Sequence, residues 1–152
     1  MIIYRLAIER FGTDISGTGS KLMGGRWNIK GVPVLYTTEN ISLSVLEILV
    51  NTERQHIPLT YQLLKLNIPD SVSYTTIQKG KLKEQWKDDF EHTQWIGTEF
   101  LNQNKMFILK VPSAVVDEEY NFLFNPVHPD FKKLKIISVN NFSFDKRLHL
   151  SR

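Results

Sequence analysis

Cysteine is absent from the 152 residues of the chain. That excludes disulfides, thiolate-bound zinc, iron–sulfur clusters and a cysteine nucleophile. It suits a reducing compartment, and the chain is read as cytoplasmic. Long apolar runs are missing too. No stretch approaches the roughly 20 residues of a membrane helix, and the opening MIIYRLAIERFG places Arg5 and Glu9 where a signal peptide needs an apolar core. The four histidines, at 56, 92, 128 and 149, show no metal-ligand spacing. Charge of one sign is scarce: 19 basic against 16 acidic side chains, a net +3. Such a balance does not by itself argue for nucleic-acid binding. Five basic and three acidic residues lie in 1–40, eight and eleven in 41–129, six and two in 130–152. The basic surplus therefore sits in the C-terminal region, as a solvated end or a docking segment for an acidic partner.

Hydrophobic residues make up 41% and charged residues 23%, enough apolar material for one well-packed domain. No linker or repeat divides it. Ile2 to Ile8 reads as a strand. Six of the eight glycines fall in residues 11–31, the mark of a shaped loop. Val32 to Tyr36 reads as a strand. A helix follows over 41–53, with Thr37, Thr38 or Asn40 as caps. Tyr61 to Ile68 is a strand ended by Pro69. Residues 80–91 and 93–103 read as helices. Met106 to Val111, Tyr120 to Phe124, Leu134 to Val139 and Phe142 to Phe144 read as further strands. Short strands and few helices in irregular order predict a single α+β domain with a mostly antiparallel sheet, not a doubly wound fold.

Familiar nucleotide motifs fail. Gly12 to Gly17 has phosphate-loop spacing, but Thr18 stands where lysine is needed, and Gly17 and Gly19 lack the third glycine of a dinucleotide fingerprint. Gly24-Gly25-Arg26-Trp27-Asn28 is more distinctive. A double glycine permits a sharp turn, arginine grips phosphate in a planar, bidentate way, and tryptophan offers a stacking face. The same stretch also fits a turn with a core tryptophan and a surface arginine. Glu47 lies in an otherwise apolar helical segment, on one face with Leu43, Leu46 and Val50. A carboxylate there serves a function or is costly. Ser44 three residues ahead of Glu47 also fits a capping box. Tyr36 and Ser113 end strands. Alone, they read as a core aromatic and a turn or cap residue. No histidine lies near Ser113 in sequence, so a serine-hydrolase triad is unsupported. Asn121, Asn125 and His128 border the Phe-Leu-Phe strand, where asparagines fix loops or contact a ligand.

Taken in order, Arg5, Gly17-Thr-Gly-Ser20, Gly24-Gly-Arg-Trp-Asn28, Gly31, Val34-Leu-Tyr36, Leu46-Glu47, Val111-Pro-Ser-Ala114, Asn121, Asn125-Pro-x-His128 and Phe144-Asp-Lys-Arg147 resemble the RES domain toxins. The resemblance spans residues 3–147 and leaves 148–152 as a tail. Ser20 departs from it, standing where the family often has alanine. The resemblance implies an ADP-ribosyltransferase-like fold with a split sheet, flanked by helices, whose cleft holds NAD. It implies the toxin of a bacterial toxin–antitoxin pair that depletes NAD by hydrolysis or phosphorolysis. NAD is then the substrate, and no further cofactor is required. The implied partner is an Xre-type helix-turn-helix antitoxin that covers the cleft and itself binds DNA, with a possible homodimer inside the larger complex. Carried over by position, the catalytic residues are Arg26, Tyr36, Glu47 and Ser113. Gly25, Arg26, Trp27, Asn28, Tyr36, Asn121 and Asn125 form the binding set.

Cleavage of the nicotinamide–ribose bond passes through an oxocarbenium-like transition state. Nicotinamide leaves readily from a cationic pyridinium, so orientation and stabilisation of positive charge matter more than a strong acid. On this reading Glu47 holds the ribose and the developing cation. Arg26 holds the pyrophosphate, Tyr36 walls the nicotinamide, and Ser113 hydrogen-bonds the substrate. The alternatives are transfer of ADP-ribose to a macromolecule, a nucleotide-binding module without turnover, and a small nucleic-acid-binding domain that uses the basic tail.

Overall fold

The computed structural model describes residues 1–53, 56–58 and 60–149. Of the expected tail, residues 150–152 lie outside the described residues. The strands are β1 (Ile2–Ala7), β2 (Leu35–Thr38), β3 (Thr60–Asn67), β4 (Thr75–Thr76), β5 (Ile108–Pro112), β6 (Tyr120–Phe124) and β7 (Lys135–Ser143). Among the described residues three α-helices accompany them: α1 (Thr18–Met23), α2 (Ile41–Asn51) and α3 (Phe90–Gln103). The strands form one sheet in the order β4-β5-β6-β2-β1-β3-β7, antiparallel except where the short edge strand β4 runs parallel to β5. This is the α+β arrangement that the irregular element order predicts.

The sheet is split in a definite place. β1 meets β3 along its whole length, from Ile2 opposite Asn67 to Ala7 opposite Gln62. β1 and β2 join at one register pair, Tyr4 opposite Thr38. The expected pair of small sheets is thus two plates, β7-β3-β1 and β2-β6-β5-β4, meeting at a seam.

Strand alternation explains the core. On β5 and β6, Ile108, Phe122 and Phe124 face a cluster with Ile3, Leu35, Leu64 and Leu66. Leu109, Val111 and Leu123 face the opposite side, in a cluster with Trp27, Trp86 and Leu101. A strand buried on both faces reads as a continuous apolar run, as Phe122-Leu123-Phe124 does. α2 packs on β1 and β2 and sets Val45, Ile48 and Leu49 beside Tyr61 and Phe144.

Several readings need correction. The strand read over Val32 to Tyr36 is β2, Leu35–Thr38, so Tyr36 lies inside it and does not end it. Of the helix read over 80–91, residues 80–89 form no α-helix. Lys79–Lys81 is a short 3-10 turn, and α3 begins only at Phe90, capped by Asp89, whose carboxylate accepts from His92 N–H at 2.9 Å. Trp86 alone is buried in that stretch, and one anchor supports a loop, not an amphipathic helix. The two C-terminal strand segments are a single strand, β7, whose pairing with β3 absorbs an irregularity at Lys65 and Leu66. The capping box also fails. Asn40 is the N-cap of α2, accepting from Leu43 N–H at 2.8 Å, so Ser44 and Glu47 sit inside the helix.

Candidate active site

A cleft of about 940 Å³ opens along the seam, bordered by Arg5, Arg26, Tyr36, Glu47 and Asn121 among others. That volume suits a ligand of dinucleotide size.

Glu47 comes from α2, which packs on both β1 and β2 and so covers the seam. Its partners come from the β2-β6-β5-β4 plate. Ser113, just after β5, donates to Glu47 Oε1 at 3.2 Å. Asn121 on β6 donates through Nδ2 to the same oxygen at 2.8 Å. Oε2 has a single long contact, with Asn51 Nδ2 at 3.4 Å. One carboxylate oxygen is thus fixed from behind while the other keeps acceptor capacity. Ser113 is 1% exposed, and its Oγ also accepts from Val115 N–H at 3.0 Å and Val116 N–H at 3.1 Å. A hydroxyl engaged in this way orients a carboxylate and is poorly placed to attack a substrate. The Oδ1 of Asn121 is buried and has no hydrogen-bond partner. Turning the amide over would press that oxygen against Glu47, so an unfilled acceptor stands beside the carboxylate.

Arg26 springs from a tight turn closed by a bridge between Gly25 and Asn28. Its guanidinium donates to the Lys87 carbonyl at 2.8 Å and lies 4.4 Å from the Phe90 ring centroid and 5.7 Å from that of Trp86. Burial lowers its pKa, and Glu47 and Asp88 oppose that shift. The fork keeps donors to spare for an anion.

The Tyr36 hydroxyl donates to Asn28 Oδ1 at 2.7 Å and accepts from Trp27 N–H at 3.0 Å. Desolvation pushes the phenol far above its usual range, although the Trp27 bond and Arg26 pull the other way. The group stays protonated and fully engaged, so the ring walls the cleft and the hydroxyl moves no proton.

Three expected binding residues are buried. Trp27 borders the cleft but is 2% exposed, and its indole belongs to the core cluster with Trp86 and Leu101. Asn28 is fully buried; its Nδ2 donates to the carbonyls of Ser20, Ile29 and Val32. It holds the loop and Tyr36, not a ligand. Asn125 is 1% exposed, with its amide on Leu101 and Asn104 and its oxygen on Val127 N–H. It fixes the turn after β6. Gly25 borders the cleft, but its N–H goes to Asn28 O and its carbonyl to Gln94. A Cβ there would lie 2.6 Å from the Tyr36 hydroxyl, so this glycine makes room for the tyrosine, not for a ligand. Ser20, the departure noted above, ties α1 to the approach to β2: its Oγ lies 2.6 Å from Val34 O and accepts from Val34 N–H at 3.0 Å.

Arg5 is the residue that sequence reasoning left out of the site. It follows Tyr4 at the seam, and its guanidinium donates to the Tyr36 carbonyl at 3.3 Å. Nε is buried without a partner, and desolvation lowers the pKa, partly offset by Asp14. The signal was strand alternation: Ile3, Arg5 and Ala7 share one face of β1, and Ile3 and Ala7 are buried.

The RES domain family model matches residues 2–147. The chain belongs to the RES domain family. Among its relatives is a protein named Toxin Res from Pseudomonas putida, 37% identical over 150 residues, covering 97% of this chain and 99% of the relative. Another, from Sphingobium, is named Prs ADP-ribosylating toxin and is 34% identical over 139 residues, 89% of this chain and 86% of the relative. The RES fold also has a solved counterpart in the Mycobacterium tuberculosis MbcT–MbcA toxin–antitoxin complex. The TM-score is 0.76 at 18% identity, over 93% of this chain and 84% of that one. No helix among the described residues is long and apolar enough to cross a membrane.

Proposed function

We propose that this RES domain protein is the toxin of a toxin–antitoxin pair and that it cleaves the nicotinamide–ribose bond of NAD. The observation that carries the reading is Glu47. Ser113 and Asn121 hold one of its oxygens, the other has only a long contact with Asn51, and the residue lines a dinucleotide-sized cleft that is also bordered by Arg5 and Arg26.

In this mechanism Arg26, with Arg5 at the seam, takes the pyrophosphate. The free oxygen of Glu47 accepts a hydroxyl of the nicotinamide ribose, and Asn121 Oδ1 accepts a second N–H or O–H donor of the substrate. Tyr36 closes the nicotinamide side. The bond from the anomeric carbon to the pyridinium nitrogen breaks, its electron pair leaves with neutral nicotinamide, and the oxocarbenium gains the negative field of Glu47. Water or phosphate then adds to the anomeric carbon and gives up a proton, yielding ADP-ribose or its 1-phosphate. No metal or additional cofactor enters these steps. The partner is a helix-turn-helix antitoxin whose chain covers the cleft.

Free nicotinamide measured after incubating the purified chain with NAD, with and without phosphate, tests the proposal. Release is expected, and the phosphate dependence identifies the acceptor. A folded chain that leaves NAD intact overturns the reading. The name of the Sphingobium relative favours a second one, transfer of ADP-ribose to a macromolecule. Mass spectrometry of a modified macromolecule, against free ADP-ribose, separates the two.

A further inference from the structure

Arg26 is held from two directions by one stretch of chain. On α3, Gln94, Gly97 and Thr98 stand at helical spacings of three and four, on one face, and that face meets the turn over residues 25–29. Gln94 Nε2 donates to the Gly25 carbonyl at 2.9 Å. Thr98 Oγ1 accepts from Ile29 N–H at 3.3 Å. Between them, Gly97 lets the backbones meet: a Cβ there would sit 1.9 Å from the Trp27 carbonyl oxygen. Glycine inside a helix is unfavourable against alanine, and this close approach is what it permits. The other end of Arg26 rests on the start of the same helix and the loop before it, through Phe90, Trp86 and the Lys87 carbonyl. Gln94, Gly97 and Thr98 do not themselves line the cleft.

We propose that this face of α3 is the positioning element of the pyrophosphate grip, with Gln94, Gly97 and Thr98 acting through Arg26. The inference rests on the NAD-cleavage reading. Fixing both the backbone and the guanidinium in advance removes ordering that binding would otherwise require. Damage to the face therefore weakens recognition of the pyrophosphate and leaves bond breaking intact.

The test compares NAD with nicotinamide riboside, which keeps the scissile bond and lacks the pyrophosphate. Gln94→Met is expected to raise KM for NAD about fivefold to tenfold, the effect of one lost hydrogen bond. Its kcat, and its kcat/KM for the riboside, stay within about twofold of wild type. Inhibition by ADP-ribose, which keeps the pyrophosphate, weakens by the same factor. Thr98→Val shifts KM in the same direction and Thr98→Ser restores it. Gly97→Ala gives the largest shift, about 30-fold or more, if it folds; Gln94→Met decides the matter if it does not. Equal losses on both substrates, or an unchanged KM and ADP-ribose inhibition in Gln94→Met, overturn the inference alone. A wild-type chain that releases no nicotinamide from either substrate overturns the NAD reading, and this inference with it.

Discussion

The two sides of the cleft are built on opposite principles. On one, the Glu47 carboxylate is tied from behind by Ser113 and Asn121, side chains that are themselves anchored in a buried sheet. On the other, Arg26 and Arg5 hold few acceptors: one carbonyl and two aromatic faces for the first, one long carbonyl contact for the second. An orientated anion with its rear satisfied is suited to act on a developing positive charge. Cations with donors unspent are suited to bind a ready-made anion. On the proposed reading, the contrast assigns chemistry to the anion and affinity to the cations.

The sharpest way to break that division is Glu47→Gln, which keeps the shape and removes the charge. The expectation is a loss of about 10³-fold in kcat with KM for NAD little changed, read by nicotinamide release from a variant whose circular dichroism matches wild type. Arg26→Ala should do the reverse. KM rises about 100-fold, as expected for two charge-assisted hydrogen bonds, while kcat stays within a few-fold. If both variants lower the same parameter, the two walls do not divide the work.

Ser113→Ala sharpens the role of the buttress. As an orienting group Ser113 contributes about 10-fold to kcat, whereas loss of a nucleophile would remove about 10⁴-fold or more. Tyr36→Phe keeps the wall and deletes the hydroxyl. It leaves Asn28 Oδ1 and Trp27 N–H short of a partner, so stability falls by about 1–2 kcal/mol and the melting temperature by about 3–6 °C. Turnover should stay within about threefold. A large drop in kcat with an unchanged melting temperature would return the phenol to the chemistry.

The smallest effect concerns acid. Asp89 caps α3, and its bonds to His92 N–H and Lys83 lower its pKa below the ordinary 3.8. A depressed carboxylate contributes stability above its unfolded value, and that contribution fades as pH falls through the folded one. Below about pH 3.8 the start of α3, and with it the Phe90 shelf, should loosen. Amide exchange of His92 should then rise relative to that of Leu43, whose Asn40 cap does not titrate. Equal changes at both caps would count against this.

Much of the site was legible because its chemistry conflicts with its surroundings. A carboxylate on an apolar helical face and an arginine after a double glycine both demand an explanation, and Tyr36, inside β2, and Ser113, just after β5, belong to an ordered set of motifs. Trp27, Asn28 and Asn125 read as binding residues and are buried in the structure, for the opposite reason. An indole or an amide is as much at home in a satisfied core as in a cleft, and only the positions of carbonyls distant in sequence decide which. The helix expected over 80–91 failed on similar grounds. Its composition is helical, but Trp86 gives it a single anchor and the Lys87 carbonyl goes to Arg26. Arg5 was visible by alternation along β1, yet the meaning of a cation on that face depends on the seam beside it, which no local pattern encodes.

That seam has a mechanical consequence. With β1 and β2 joined at the pair Tyr4–Thr38, α2 lies across both plates, and the bonds from Ser113 and Asn121 to Glu47 tie it down on one of them. A ligand spanning Glu47, Arg5 and Arg26 adds a cross-brace to the same joint, so filling the cleft stiffens the sheet as a whole. The free energy of binding is then shared with the rigidity of the frame, and whatever occupies the cleft, substrate or inhibitory partner, becomes a structural member of the protein.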